Sequence, residues 1–217
     1  MGDFADARRK MVDCQLRTSD VTDHDIQSAM GSVPREAFVA AELAPLAYID
    51  EELAIGGGRV LMRPATFGKL LQLAAIRPAD TVLVVGGGSG YEAAVLARIA
   101  ASVVAVESDS ALAAAAAERL SRLGATTASV VTGSLAAGWP AGAPYDVILL
   151  TGAAETALDG LGAQLREGGR LVAVEGRGGA AAAQVYTRAG GGISGRFGFN
   201  AAARPLPGFE QAKAFVF

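Results

Sequence analysis

The order of apolar and polar positions along the chain predicts alternating strands and helices from residue 82 onward. The first apolar run, Val82–Val85, is rich in β-branched residues and predicts a buried strand. Because helical segments separate it from later apolar runs, we expect a parallel sheet with connecting helices. The later parallel strands are predicted at 102–107, 128–131, 145–150 and 170–174, and the connecting helices at 92–101, 111–123 and 158–165.

The pattern changes at both ends of the chain. Two strand-like runs near the C-terminus, 184–188 and 213–217, flank a stretch without helical periodicity, which predicts antiparallel strands added to the parallel sheet. At the other end, residues 1–55 predict a helical appendage with helices at 1–20, from Thr22 as N-cap, and at 33–39. We therefore predict one domain over 1–217, with a Rossmann-like core at 56–217.

A glycine-rich segment joins the appendage to the core. Residues 55–64 predict a flexible loop, since three consecutive glycines follow Ile55. The helix after this loop starts near Pro64 and carries apolar residues at the spacing of one buried face. These apolar residues are Phe67, Leu70, Leu71 and Ala74.

Composition and charge exclude several kinds of protein. The chain has 217 residues, of which 51% are hydrophobic, and a net charge of −3 without a basic patch, so a nucleic-acid partner is not expected. One cysteine, Cys14, and one histidine, His24, exclude an internal disulfide and a zinc site. Since we find neither a signal-peptide core nor an uncharged membrane-length run, we expect a soluble, cytoplasmic protein without membrane partners.

The turn after the strand at Val82–Val85 is the strongest candidate binding site. It reads Gly86, Gly87, Gly88, Ser89, Gly90, and glycines there let a ligand approach the backbone closely. Tyr91 stands where the third glycine of a dinucleotide fingerprint would fall, which favours another adenosine ligand, S-adenosylmethionine above all. The alternative is a tight turn that binds nothing.

Further candidates follow the other strands at the same edge of the predicted sheet. Glu107 ends the second strand, with Ser108 beside it, and its carboxylate could accept hydrogen bonds from both ribose hydroxyls. The alternative for Glu107 is a solvated acid at a strand end. Ser134 and Leu135 follow the third strand and could border an adenine ring, and Thr151 closes the fourth strand.

Several motifs along most of the chain resemble the protein-L-isoaspartate O-methyltransferase family. The resemblance implies a mostly parallel Rossmann-like sheet with a reversed last strand, S-adenosylmethionine as cofactor, and isoaspartyl residues of damaged proteins or peptides as substrate. The motifs are Met11-Val12 with Gln15-Leu16-Arg17, Val33–Val39, Ala47–Asp50, Ile55-Gly56-x-Gly58, Gly86–Tyr91 with Ala93–Ala97, Gly138-Trp139, Ala143–Asp146, Leu165-x-x-Gly168–Val172 and Leu206–Phe209.

The chain departs from the family pattern at three places. The substrate loop, Gly-Gln-Thr-Ile-Ser-x-Pro in the family, has Arg59, Val60 and Met62 in place of glutamine and the two hydroxyl residues. A thioether cannot donate the hydrogen bond that the family's serine can. Val84 replaces the acid that precedes the glycine turn, and Ser134 stands in the segment that the family writes Gly-Asp-Gly.

These departures leave three functional hypotheses. The first is methyl transfer to isoaspartyl residues, with no catalytic residue assigned and with Arg59 and Met62 as candidates in the substrate loop. The second is methyl transfer to a small anionic acceptor, for which Arg59 and Arg63 would supply positive charge. The third is a cofactor-binding protein without catalysis. The sequence leaves the oligomeric state open.

Overall fold

The computed structural model describes residues 4–211. Its centre is a seven-stranded sheet with the strand order β5-β4-β3-β6-β7-β8-β9, beside a separate hairpin of β1 and β2. The strands are β1 (Leu53–Gly56), β2 (Arg59–Leu61), β3 (Thr81–Val85), β4 (Ser102–Glu107), β5 (Ala128–Thr132), β6 (Tyr145–Ala154), β7 (Leu165–Glu175), β8 (Ala182–Ala189) and β9 (Gly192–Asn200). The helices are α1 (Phe4–Met11), α2 (His24–Ser32), α3 (Pro64–Ala74), α4 (Tyr91–Leu96), α5 (Ser110–Arg122) and α6 (Asp159–Gly162).

The predicted fold class is confirmed. Strands β3 to β7 pair in parallel, and β8 pairs antiparallel with β7. Strand β9 pairs antiparallel with β8 and lies in the stretch without helical periodicity, between the two strands that were predicted there. The strand predicted at 213–217 lies outside the described residues.

Two predicted helices are shorter than their sequence patterns suggested. The helix predicted at 92–101 ends at Leu96, because the chain turns to enter β4, where the N–H of Ala101 donates to the carbonyl of Asp80 at 3.0 Å. The helix predicted at 158–165 is limited to α6, because Leu165 already pairs with Tyr145 as the first residue of β7.

The helical appendage is present, with one cap misassigned. The side chain of Asp23, not that of Thr22, accepts hydrogen bonds from the N–H groups of Asp25 and Ile26 at the start of α2. The N–H of Thr22 instead donates to the side-chain oxygen of Gln72 in α3 at 2.7 Å. A carboxylate at this end of the helix also interacts favourably with the helix dipole.

The segment predicted as a flexible loop forms the β1–β2 hairpin. Leu53 pairs with Leu61 and Ala54 with Val60, and Gly56, Gly57 and Gly58 form the turn with positive φ. The run of glycines concealed a hairpin because only a few residues on each side pair. This correction matters because the hairpin carries Arg59.

The core lies on both faces of the sheet, and the alternating residues of β3 divide it. Val82 and Val84 join a cluster that includes the N-terminal helices, whereas Leu83 and Val85 join a second cluster with α6 and the segments near Leu135 and Leu206. The appendage supplies residues such as Met11, Met30 and Phe38 to the first cluster, so it packs into the same core as α3 and α4.

Replacing Phe38 with alanine tests this packing. The ring of Phe38 is fully buried and meets the ring of Tyr91 edge-on at 5.5 Å between centroids. We expect Phe38→Ala to lower the free energy of unfolding by about 3–5 kcal/mol, measured by urea denaturation. Phe197 is 57% exposed and serves as the control. Its alanine variant should change stability by no more than about 0.5 kcal/mol, and equal losses in both variants would contradict the assignment.

Candidate functional site

The glycine turn is anchored to the end of the neighbouring strand β4. Gly86, Gly88 and Gly90 have φ of +93°, +50° and +93°, which other residues rarely adopt. The N–H groups of Gly86 and Gly87 both donate to the carbonyl of Val106, at 3.0 and 2.9 Å. These bonds hold the turn beside Glu107, which follows Val106 directly.

Glu107 is a fully buried carboxylate with several donors from the backbone. One oxygen, Oε2, accepts from the N–H of Gly88 at 2.7 Å. The other, Oε1, accepts from the N–H groups of Ser108 and Asp109 at 2.8 and 3.1 Å, and from the hydroxyl of Ser108 at 3.2 Å. The structure thus places Glu107 and Ser108 next to the glycine turn, and the alternative of a solvated acid at a strand end is excluded.

Arg59 on β2 makes a second set of bonds to the same carboxylate. Its Nη1 lies 2.9 Å from both oxygens of Glu107, and its Nη2 donates to the carbonyl of Gly86 at 3.1 Å. The two side chains are 6% and 0% exposed. Sequence reasoning placed Arg59 in a substrate loop and did not connect it with Glu107, which lies 48 positions away.

The open side of the glycine turn faces other side chains of this chain. A Cβ on Gly86 would lie 2.7 Å from both Nη2 of Arg59 and the hydroxyl oxygen of Thr151. A Cβ on Gly88 would lie 2.9 Å from Cδ1 of Ile55 in the hairpin. The hydroxyl of Thr151 donates to the carbonyl of Gly86 at 2.5 Å, which places Thr151 beside the glycine turn; its contact with a cofactor stays a prediction.

Other predicted cofactor-binding residues occupy varied positions. Gly87 packs against Ala105, and a Cβ on Gly90 would meet Ala116 of α5 at 3.1 Å. Ser89 is buried, and its hydroxyl has no hydrogen-bond partner among the described residues. Their contacts with a cofactor stay a prediction.

The segment after β5 places its two candidates differently. Ser134 is exposed, whereas Leu135 is 1% exposed and belongs to the second core cluster. The N–H of Gly133 donates to the carbonyl of Glu107 at 2.9 Å, which holds this segment against the end of β4. A contact of either residue with an adenine ring stays a prediction.

Met62 is a core residue in this structure. It is 2% exposed and lies in the first core cluster, and its carbonyl accepts a hydrogen bond from Nη2 of the fully buried Arg35. The guanidinium of Arg35 also lies over the ring of Tyr91, 4.9 Å from its centroid. Val84, where the family has an acid, is likewise buried in this cluster.

Glu92 in the first turn of α4 is a site residue that sequence reasoning missed. Its side chain is 3% exposed, and burial raises the pKa of its carboxyl to about 7. The nearby charges of Arg35 and Arg59 act in the opposite direction and lower this pKa. The sequence does indicate burial at this position, since Glu92 lies between Tyr91 and two alanines. A carboxylate in the first turn of a helix is, however, equally typical of an exposed residue that interacts with the helix dipole.

A cleft of about 950 Å³ lies at the ends of β6 and β7, farther along the edge where the site lies. Its walls include Thr156, Asp159 and Arg177, and the guanidinium of Arg177 donates to Glu155 at 2.7 and 2.9 Å. The carboxyl ends of parallel strands share one edge of the sheet. This cleft and the glycine turn therefore both lie at that edge.

Comparison with known sequences assigns the chain to a family. The sequence profile of protein-L-isoaspartate(D-aspartate) O-methyltransferase matches residues 7–197. The chain belongs to this family. A protein-L-isoaspartate O-methyltransferase of Methylorubrum extorquens is 46% identical over 78% of this chain and 74% of its own length. That of Koribacter versatilis is 43% identical over 78% and 76%, respectively. The chain is therefore an enzyme of the methyltransferase class.

Solved structures of family members have the same fold. One protein-L-isoaspartate O-methyltransferase superposes with a TM-score of 0.82 at 25% identity, and the match covers 93% of this chain and 66% of the other. Another, from Plasmodium falciparum and in complex with S-adenosyl-L-homocysteine, gives a TM-score of 0.79 at 19% identity. That match covers 92% of this chain and 97% of the other.

Membrane-spanning helices and clusters of metal ligands are both absent from residues 4–211. None of the helices there is long and apolar enough to cross a bilayer. Within the same residues, no three His, Cys, Asp or Glu side chains are arranged to hold a metal ion. The expectation of no metal thus stays a prediction for the whole chain.

The raised pKa of Glu92 predicts a pH-dependent stability difference. The unfolded carboxyl titrates near its ordinary value of 4.5 and the folded one near 7, so the folded state binds the proton more tightly. The stabilisation is complete below pH 4.5 and is lost as the pH rises to about 7. Relative to the wild type, Glu92→Gln should therefore gain about 3 kcal/mol in unfolding free energy between pH 4 and pH 8.

Urea denaturation at several pH values measures this difference. Glu118→Gln is the control, since that side chain is 70% exposed on α5. The control should follow the wild type at every pH. A constant difference between Glu92→Gln and the wild type across this range would contradict the prediction.

The burial of Met62 predicts that its size matters more than its sulfur. We expect Met62→Ser to lower the unfolding free energy by about 2–4 kcal/mol, because it leaves a cavity and buries a hydroxyl. Met62→Leu conserves volume and should cost less than about 1.5 kcal/mol. Urea denaturation measures both, and a fully stable serine variant would show that position 62 is not a packing position.

Proposed function

We propose that the protein transfers the methyl group of S-adenosylmethionine to the free carboxylate of isoaspartyl residues in proteins and peptides. The observation that carries this proposal is the buried Glu107 carboxylate beside a glycine turn, at the carboxyl ends of β3 and β4, in a member of this family. The relatives from Methylorubrum extorquens and Koribacter versatilis are both named protein-L-isoaspartate O-methyltransferase, after that reaction.

The chain's own groups fit the adenosine part of such a cofactor. A buried carboxylate suits two ribose hydroxyls, which are donors, and the glycines give a face that a Cβ would fill. Thr151 fixes the carbonyl of Gly86, and Val106 fixes the two N–H groups that begin the turn. These bonds hold the backbone of the turn in place before a ligand arrives, so no entropy has to be spent on ordering that backbone.

The reaction demands alignment more than acid–base catalysis. S-adenosylmethionine supplies a methyl group already activated by the sulfonium, and a carboxylate is a competent nucleophile without proton removal. The protein has to exclude water and hold the acceptor in line, which can supply a large part of the rate enhancement. The hairpin over the turn and the cleft beside β6 and β7 are the elements available for that purpose.

A small anionic acceptor is less well supported than an isoaspartyl residue. That hypothesis depended on free positive charge at Arg59 and Arg63. In the structure, Arg59 is paired with Glu107, and Arg63 is paired with Glu51 at 2.8 Å. Neither guanidinium is available to a carboxylate ligand without breaking an ion pair.

A cytoplasmic location stays a prediction from sequence composition.

A transfer assay with paired peptides tests the proposal. With labelled S-adenosylmethionine, we expect an isoaspartyl peptide to be methylated and the same peptide with ordinary aspartate to be methylated at least about a hundredfold more slowly, a difference of roughly 3 kcal/mol in transition-state energy. The product should be a base-labile methyl ester. Equal labelling of both peptides would contradict the isoaspartyl substrate.

The same assay separates the proposal from a binding protein without catalysis. Calorimetry with S-adenosylhomocysteine reports cofactor binding independently of turnover. Binding without methyl transfer to the isoaspartyl peptide at high enzyme concentration would favour the binding protein, and absence of both would contradict any cofactor role.

A further inference from the structure

Arg59 and the ribose of a bound cofactor would both donate hydrogen bonds to the two carboxylate oxygens of Glu107. Both oxygens are bonded to Nη1 of Arg59 at 2.9 Å, in addition to the N–H donors of Gly88, Ser108 and Asp109. A carboxylate has about four lone-pair positions, and these partners occupy them. Ribose hydroxyls would have to donate to the same oxygens, so Arg59 and a ribose cannot both be fully bonded to Glu107.

The position of Arg59 also produces a steric conflict with a ligand, in addition to the competition for hydrogen bonds to Glu107. Its Nη2 lies where a Cβ of Gly86 would point, and Ile55 of the same hairpin lies where a Cβ of Gly88 would point. The hairpin therefore covers the open face of the turn with two side chains. Any group that approaches this face of the glycines has to move Arg59 first.

We propose that Arg59 sets the affinity for the adenosyl cofactor by competing with it for Glu107. The inference rests on the proposed function and adds a residue that the family pattern, with glutamine at this position, does not contain. Arg59 closes the ribose site in the free protein, and it leaves Glu107 when the ligand binds.

When Arg59 is displaced, the carboxylate of Glu107 still has hydrogen-bond donors. The carboxylate keeps three backbone N–H donors and the hydroxyl of Ser108, and ribose hydroxyls would replace the guanidinium. The cost of opening lies with Arg59, whose buried Nη1 lies 2.9 Å from both oxygens of Glu107 in the closed state. A neutral amide at position 59 would not impose that cost.

Calorimetric titration with S-adenosylhomocysteine tests the competition. Arg59→Gln should bind at least about tenfold more tightly than the wild type, because no charge-assisted pair has to be broken. Arg59→Lys keeps the charge without the planar fork and should lie between the two. Arg63→Gln is the matched control, since Arg63 is 44% exposed and pairs with Glu51, and its affinity should equal that of the wild type.

A second readout distinguishes competition from a structural role. Without ligand, Arg59→Gln should unfold at lower urea concentration than the wild type, because a buried ion pair is lost, while its affinity rises. A merely structural Arg59 would lower stability and affinity together. If Arg59→Gln does not fold, the direction of the affinity change in Arg59→Lys decides.

Unchanged or weaker binding by the folded Arg59 variants would overturn the inference and leave the proposed function intact. Failure of both the wild type and Arg59→Gln to bind S-adenosylhomocysteine would overturn the proposed function as well. Binding by Arg59→Gln but not by the wild type would show that Arg59 blocks Glu107 and would contradict both its displacement by the ligand and the proposed function of the wild type.

Discussion

The buried ion pair between Arg59 and Glu107 is the interaction on which the arrangement of the site depends. It joins a hairpin that precedes the core to the edge of the central sheet, and its bond to the carbonyl of Gly86 includes the glycine turn in the same network. Burying two charges is costly unless their remaining hydrogen-bonding capacity is used. The three backbone donors to Glu107 meet that condition, which explains how a carboxylate with no exposure is tolerated at a strand end.

The rest of the fold supplies the rigidity that this pair requires. Residues of β3 alternate between two core clusters, so the strand that leads into the glycine turn is packed on both faces. The N-terminal helices join one of these clusters and meet α4 through the contact of Phe38 with Tyr91. A shift of the appendage would therefore reach the helix that starts directly after Gly90.

The sequence was sufficient to predict those parts of the molecule that depend on local pattern. The β-branched run at Val82–Val85, the glycine turn and the helix periodicity at Phe67–Ala74 each carry their structure within a few residues, and Glu107 follows from its place at a strand end. The β1–β2 hairpin and β9 were missed because they are short or rich in glycine, and their pairing partners are not visible in local composition.

Long-range contacts account for what sequence reasoning missed in the site. Nothing in the residues around Arg59 shows that its guanidinium reaches Glu107, because the ion pair exists only when the hairpin lies over the turn. The same holds for Glu92, whose pKa is raised by burial and is influenced by Arg35, Arg59 and the backbone of Met62, all distant in the sequence. Position 62 lacks the hydroxyl of the family pattern, and burial of the methionine there becomes visible only in the structure.

Two different kinds of interaction hold the hairpin against the core. The side chain of Arg59 can therefore move without loss of the packing that stabilises the hairpin. Leu61 and Met62 are buried in the first core cluster, and Arg35 binds the carbonyl of Met62, so the base of β2 is held by packing and by a buried hydrogen bond. The side chain of Arg59 is held instead by the ion pair with Glu107 and by a hydrogen bond to the carbonyl of Gly86. Rotation of the Arg59 side chain away from Glu107 would break the second attachment and leave the first intact. The site can therefore open without unfolding the hairpin, since Leu61 and Met62 belong to an apolar cluster of which Arg59 is not a member.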